Sequence, residues 1–439
     1  MSEGSGRLRI AFLGTRGVPA RYGGFETAVE EVGSRLAARG HDVRVYCRTG
    51  GEAGRPEHLG MRLVHLPALR RKSLETLSHT ALSVGHLLAA GRPDVAMVFN
   101  AANSPFLPAL RALRVPVALH VDGLEWRRAK WAGAGRAYYL LAECLGVRWA
   151  DALIADAEGI AEYYRAEFAA ESNQIAYGAP IVAPGAGRLV EVGLLPGRYH
   201  LAVARFEPEN HLHLVVEGYV RSGARLPLVV VGTAPYSDQY TATVHALADD
   251  RVRFLGGVWD QELLDQLYAN CATYLHGHSV GGTNPSLLRA IGAGAPCLAY
   301  DVPFNRDVLA EAAEYFVTAP DVARALEAAE TDPYATARRG IRSLERARRY
   351  DWEEVADAYE TLATRLAVDG PVRVRPSGHR AGVAATWGVP SPQPVPAVQV
   401  APVPAARVAA TAPELVPAVL EPGVLAPAPR LRAPFPRAS

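Results

Sequence analysis

Several clusters of residues in this chain have the types and spacing needed to bind an anionic ligand that also carries hydroxyl groups. His276 to Pro296 reads HGHSVGGTNPSLLRAIGAGAP. Within it, Val280-Gly281-Gly282-Thr283-Asn284 carries no bulky side chain until a helix opens around Pro285. Proline suits a first helical turn, where its missing N–H is not needed. The turn would present free backbone N–H groups where the helix dipole adds partial positive charge, which makes a seat for a phosphate. Gly281, Gly282, Thr283, Asn284 and Ser286 are the candidate contacts, with Arg289 on the same helix.

A second glycine-rich loop, Gly14-Thr15-Arg16-Gly17 through Tyr22-Gly23-Gly24-Phe25-Glu26, lies between the first strand and the first helix. Its spacing is not that of the dinucleotide fingerprint, so nicotinamide binding gains little support. Gly23 and Gly24 would let backbone approach a ligand closely. A purely structural turn of this kind needs only a few residues, and this loop is longer.

Two further strand ends carry charge. Arg205 opens ARFEPENH after an apolar strand, and a fixed guanidinium there suits charge developing on a leaving phosphate. The plainer reading is a surface arginine paired with Glu207 or Glu209. His120-Val121-Asp122-Gly123-Leu124-Glu125-Trp126 brings a histidine, two carboxylates and an indole together. A sugar could stack on Trp126 while its hydroxyls meet His120, Asp122 or Glu125. Asp122 could equally be a helix N-cap, with Glu125 completing a capping box. Both can hold at once, since a cap uses neither Trp126 nor His120.

The elements that must position these residues alternate between short apolar runs and stretches of helical periodicity. Strands are expected at 9–13, 42–47, 61–65, 94–100, 115–121 and 152–155, with helices at 26–39 and 73–90. A Pro/Gly/Ala stretch at 180–197 reads as a linker. The rhythm then restarts, with strands at 199–204, 226–232, 251–255, 273–276, 297–300 and 315–317. Helices are expected at 211–222, 261–270, 320–329 and 334–349, and a last amphipathic one at 351–367. This is α/β text read twice. It predicts two Rossmann-like parallel-sheet domains facing each other across a cleft, at 1–185 and 186–350, followed by a helix at 351–369. From 370 to 439 the text is rich in Pro and Ala, which predicts a disordered tail. Seven arginines there against Glu414 and Glu421 make the tail basic and the rest acidic, although the formal net charge of the chain is +1.

Composition bounds the partners. At 439 residues, 49% hydrophobic and 21% charged, the chain has the make-up of a soluble protein, and the near-neutral balance gives nucleic acid no footing. Its four cysteines form no close pair and support neither a zinc site nor a disulfide framework. No apolar run is long enough for a signal peptide or a membrane span. There is neither an Asp-x-Asp motif nor a Walker loop, which counts against metal-dependent nucleotide chemistry and ATP hydrolysis.

Taken together, GTRGVPARYGGFET, VDGLEWRRAKW, ARFEPENH and HGHSVGGTNPSLL resemble the GT-B fold retaining glycosyltransferases of the glycogen-synthase-like branch. More narrowly they resemble bacterial exopolysaccharide enzymes, including rhamnosyltransferases. The resemblance runs from about residue 9 to 367. It implies transfer of a hexose or deoxyhexose from a dTDP-, UDP- or GDP-linked donor to a polysaccharide or lipid-linked glycan, with retention and without metal or cofactor. The donor would lie against the second domain, the acceptor against the first, and the last helix would cross back to the first domain. Arg205 with His120 and Asp122 would serve the chemistry. Gly14, Thr15, Arg16, Gly17, Tyr22, Gly23 and Gly24 would join Arg205, the 281–286 turn and Arg289 in holding the donor. Glu26, Asp122, Glu125 and Trp126 would face the acceptor or transferred sugar.

The branch usually carries glutamates where this chain has Gly281 and Arg289, and a lysine where it has Asn210. Arg289 can only donate hydrogen bonds, where a carboxylate would accept them from ribose hydroxyls. The alternative is therefore a weakened or non-catalytic binder of sugar nucleotides on the same fold. An epimerase of like architecture is a third reading, which the transferase motifs disfavour. A lipid-linked acceptor would place the protein in the cytoplasm at the inner membrane face, with Arg70-Arg71-Lys72 as an anchor to anionic lipid or as a solvated charge cluster.

Overall fold

The computed structural model describes residues 6–20, 23–49, 54–69, 74–121, 123–128, 131, 133–182, 185–233, 238–372 and 376–382. Tyr22, Asp122, the cluster at 70–72 and most of the Pro/Ala-rich stretch lie outside them. The first half builds β1 (Arg9–Leu13), α1 (Gly24–Ala38), β2 (Asp42–Arg48), β3 (Glu57–His58), β4 (Met61–Leu66), α2 (Glu75–Ala90), β5 (Val95–Phe99), α3 (Leu107–Ala112), β6 (Val117–Val121), α4 (Ala134–Trp149), β7 (Ala152–Ala155), α5 (Glu158–Phe168) and β8 (Asn173–Gln174). Its strands lie in the order β3-β4-β2-β1-β5-β6-β7-β8. All neighbours pair parallel except the short β3–β4 hairpin. Every residue of β5 and β6 is buried, as expected of parallel strands covered on both faces.

The second half builds β9 (His200–Val203), α6 (Leu212–Arg221), β10 (Leu228–Val231), α7 (Asp238–Leu247), β11 (Val252–Gly256), α8 (Gln261–Ala269), β12 (Thr273–His276), α9 (Pro285–Gly292), β13 (Cys297–Tyr300), α10 (Pro303–Leu309), β14 (Ala313–Phe316), α11 (Ala319–Thr331) and α12 (Pro333–Ala347). Its sheet is wholly parallel, in the order β11-β10-β9-β12-β13-β14. The segment expected as a linker runs along this half. Asn270 Nδ2 donates to Gly185 O at 2.6 Å and Val182 N to Gly292 O at 3.0 Å.

The last helix, α13 (Trp352–Asp369), lies against α1 of the first half. Arg39 reaches Glu353 at 3.0 Å, Asp357 at 2.6 Å and Glu360 at 2.7 Å, while Arg35 meets Glu353 at 2.7 Å. Trp352, Val355, Tyr359, Leu362 and Leu366 bury the apolar face of α13 in a core that also takes in Ile10 and Val29 from the first half and Leu201 and Leu287 from the second. Trp352 packs so closely over Gly178 that a Cβ there would overlap its ring. Residues 376–382 fall in the stretch expected to lack structure, yet they are laid on the first half. Among the described residues no helix is long and apolar enough to cross a membrane.

Candidate active site

Parallel sheets bind ligands beyond the carboxyl ends of their strands, where the chain order reverses. That reversal falls between β1 and β5 in the first sheet and between β9 and β12 in the second. The Gly14 loop follows β1, while Arg205 and the glycine turn follow β9 and β12. The topology thus puts three of the four sequence clusters at switch points, and the fourth follows β6.

The Gly14 loop is shaped from within. Gly14 (φ +92°) passes so close to Phe99 O that a Cβ would collide with it, and Gly17 (φ +102°) crosses Cys47 in the same way. Gly17 N donates to Thr15 Oγ1 at 3.1 Å. Carboxylates from α1 hold the rest: Glu26 accepts from Arg16 N at 2.9 Å and Glu30 from Ala20 N at 2.6 Å. Glu26, expected to face a sugar, therefore ties down the loop. Thr15 is buried, and the Arg16 side chain is exposed.

In the second half, Arg205 leaves β9 with its side chain 49% exposed and 3.7 Å from Glu207. Asn210 is buried and donates through Nδ2 to Arg205 O at 2.8 Å. Its Oδ1 accepts from His278 Nδ1 at 2.8 Å. That bond fixes the His278 tautomer, so Nε2 is left as a bare acceptor beside Gly281. Burial, reinforced by nearby Arg128, pushes His278 well below the ordinary histidine pKa and keeps the ring neutral. Among the described residues the N–H groups from Val280 to Asn284 donate to no protein acceptor. Asn284 caps α9, accepting from Ser286 N at 2.9 Å and Ser286 Oγ at 2.7 Å. Ser286 Oγ also accepts from Tyr274 OH at 3.3 Å, so its hydroxyl is engaged inside the second half. Arg289 forms an ion pair with Asp265 of α8.

The two halves meet at glycines. A Cβ on Gly123 would fall onto Gly281 Cα, one on Gly282 onto the Asp156 carboxylate, and one on Gly24 2.9 Å from Pro285 Cγ. Thr283 Oγ1 donates across the junction to Asp156 O at 2.6 Å. Asp156 is fully buried with Oδ1 unpartnered, and burial raises its carboxyl pKa to about 7. Arg128 forms an ion pair with Glu125 of its own half and comes within 4.0 Å of both Glu207 and Glu209 of the other. Burial and then repulsion from Glu207 raise the Glu209 carboxyl above its ordinary range.

His120 is boxed by Phe25, Phe99 and Tyr177 at ring separations of 5.3, 5.0 and 5.7 Å, with both nitrogens unpartnered. Burial lowers its pKa to about 3, so it is neutral. Trp126 is buried, with the guanidinium groups of Arg127 and Arg136 lying 5.1 and 5.2 Å from its ring. Glu125–Arg127 form a single 3-10 turn entered at Leu124, and the next helix opens only at Ala134, so no capping box sits at Glu125.

Sequence reasoning missed Asp156, His278 and Arg128 as site residues. His278 and Arg128 lie inside motifs read for their other members. Asp156 follows β7 directly, but its burial depends on the opposite half and leaves no local mark. Among the described residues no group of three His, Cys, Asp or Glu could hold a metal ion.

Residues 23–178 match the family described as Glycosyl transferase 4-like domain, and residues 196–343 match Glycosyl transferases group 1. No curated protein matches the chain. Among solved structures, a sucrose-phosphate synthase from Thermosynechococcus elongatus aligns with TM-score 0.71 at 20% identity, covering 83% of this chain and 100% of its own. HepE from Anabaena, solved with UDP-glucose, aligns at 0.66 and 17% identity over 82% and 100%. A UDP-forming trehalose-phosphate synthase from Burkholderia xenovorans, solved with glucose-6-phosphate, aligns at 0.62 and 13% over 81% and 100%. Such distant likeness speaks to fold, and the two family matches, which together take in most of the chain, speak to kind. With a 4-like module leading into a group 1 module on two facing Rossmann-like sheets, the chain belongs to the GT-B glycosyltransferases.

Proposed function

We propose that this glycosyltransferase moves a hexose or deoxyhexose from a nucleotide diphosphate donor to a growing polysaccharide or lipid-linked glycan, with retention, in the building of cell-surface polysaccharide. The observation that carries the reading is the meeting of the loops of both halves at one junction, Gly24 on Pro285 and Gly123 on Gly281, with Arg205 within electrostatic reach of His278 in the second half. The donor diphosphate would take the N–H groups of Val280–Asn284 and the Arg205 guanidinium. Fixed donors aimed at oxygens that gain charge as the sugar–phosphate bond breaks lower the barrier without reorganisation. The acceptor oxygen bonds to the anomeric carbon as the diphosphate leaves, and the acceptor proton passes to a diphosphate oxygen. No general base is required of the neutral His120, whose unpartnered nitrogens would instead meet a sugar hydroxyl. Glu125 and Trp126 would bound the acceptor side.

Two comparisons support a nucleotide donor: HepE is solved with UDP-glucose, and the trehalose-phosphate synthase is named as UDP-forming. The narrower exopolysaccharide assignment rests on the four sequence motifs. A lipid-linked acceptor would bring the enzyme to the inner membrane face. The test is a melting-temperature screen with UDP-, dTDP- and GDP-sugars, followed by release of nucleoside diphosphate with candidate acceptors. A bound ligand raises the melting temperature by linkage. Stabilisation by a nucleotide-sugar with no turnover on any acceptor would leave a binding protein and sink the transferase reading.

A further inference from the structure

Away from the junction, the first half contains two carboxylates that nothing in sugar transfer requires. The side chains of Glu143 on α4 and Glu167 on α5 are 5% and 0% exposed. Tyr163 OH donates to Glu143 Oε2 at 2.9 Å. Burial, with Glu167 adding to it, pushes the Glu143 carboxyl above its ordinary range even though Arg380 opposes the shift. Two like charges so placed are costly unless a cation with matching geometry meets both.

That cation comes from beyond the last helix. Arg380 Nη1 lies 2.8 Å from Glu143 Oε2, and its Nε lies 2.9 Å from Glu167 Oε1. Its Nη2 donates to Tyr163 OH at 2.6 Å, and its plane lies over Phe168 at 5.1 Å. The flanking backbone is held too, with Ala381 N donating to Glu167 O at 2.7 Å and Gly382 N to Glu167 Oε1 at 3.2 Å. Gly378 (φ +75°) passes so close to Cys144 O that a Cβ would sit 2.5 Å from it. Upstream, Val372 N donates to Asp151 Oδ1 at 2.8 Å. A planar fork of donors meeting two carboxylates, a hydroxyl and an aromatic face is the arrangement in which arginine outperforms lysine.

We propose that Glu143, Glu167, Tyr163 and Phe168 form a guanidinium socket, which the chain's own segment 376–382 occupies through Arg380 as a strap across the first half. The socket borders the candidate acceptor side. Arg127, which lies over Trp126, is within electrostatic reach of both Tyr163 and Glu143. With the strap seated, Arg380 satisfies the carboxylates and Arg127 stays on the indole. With the strap withdrawn, Arg127 is drawn toward Glu143 and the turn Glu125–Arg127 shifts.

The experiment uses the full chain and a cycle of variants: Arg380→Gln, the pair Glu143→Gln with Glu167→Gln, and all three together. Removing one partner of a buried ion pair is strongly destabilising, so Arg380→Gln should lower the melting temperature by about 4 °C or more. It should also speed amide exchange at Ala381 and Gly382 at least about tenfold. In the Glu143→Gln, Glu167→Gln background the same substitution should do neither. Adding a capped peptide of residues 376–382 to Arg380→Gln should restore part of the lost melting temperature. Should Arg380→Gln fail to fold, amide protection of Ala381 and Gly382 in the unaltered chain decides the matter. Free exchange at those two amides, or equal loss in both backgrounds, would overturn the strap.

Discussion

Asn210 Oδ1 accepts a hydrogen bond from His278 Nδ1 at 2.8 Å, so one amide joins the turn that follows β12 to the strand end that carries Arg205. The resemblance sets Asn210 where the branch usually has a lysine. Here the amide braces the Arg205 backbone and sets which His278 nitrogen faces the glycine turn. Asn210→Leu should leave a buried N–H unpaired and cost about 1–3 kcal/mol of stability. Urea titration would show it, together with weaker donor binding. Unchanged values for both would mean that the brace has no effect.

Asp156 gives a pH signature of definite sign. Its folded pKa of about 7 lies above the unfolded aspartate value, so its share of stability is full below about pH 4. That share falls as pH rises and levels off above about 7. Asp156→Asn should therefore show an advantage over the unaltered chain that grows with pH to as much as about 4 kcal/mol. Parallel pH–stability curves for the two would refute the shift. The buried histidines act in the opposite sense, losing stability as pH falls below about 6.5, but they do so equally in both proteins.

Arg289→Glu would place a carboxylate beside Asp265. The ion pair is half-buried, so the reversal should cost about 1–2 kcal/mol from lost attraction and new repulsion. Adding Asp265→Arg should recover most of it. Donor binding measured on the swapped protein then reports Arg289 free of the stability effect. If Arg289 binds donor, the swap weakens binding. If a carboxylate at 289 is what the ribose prefers, the swap strengthens it.

Gly123→Ala should leave each half folded, because the nearest atoms its Cβ would meet belong to the facing turn at Gly281. To relieve the overlap between that Cβ and Gly281 Cα, the halves would be wedged apart by about an ångström. Misplacement on that scale costs on the order of a hundredfold in rate. Circular dichroism should be unchanged while the transfer rate falls. An alanine variant as active as the parent would show that this contact is not part of the working state.

Much of this architecture was legible because parallel strands are short apolar runs bounded by glycine. The limits of β7, β12 and β13 coincide with those expected from sequence. The helices α4, α5 and α7 were not foreseen, for their periodicity is broken by polar and glycine positions that tertiary packing overrides. Within the site, the glycine loops stand out because they are longer than a turn requires, and Arg205 because a charge directly follows an apolar strand. Asp156 does not stand out, since what makes it unusual is burial by Gly282 and Thr283 from the other half. Arg289 and Glu26 stand out as residue types, but their partners do not: that of Arg289 lies on a different helix, and the carboxylate of Glu26 turns back on its own loop. Arg380 was lost in Pro/Ala-rich text because one side chain in a socket leaves no compositional trace.

The pairing of α13 with α1 has a consequence for how the site is set. Glu26 and Glu30 of α1 hold the backbone at Arg16 and Ala20. The opposite side of α1 is gripped by Glu353, Asp357 and Glu360, which follow directly on the second half. The first loop is thus rigged, through a single rod, to the helix that follows the second half. A change in the angle between the halves would pull on that loop from behind, before any ligand reached its glycines.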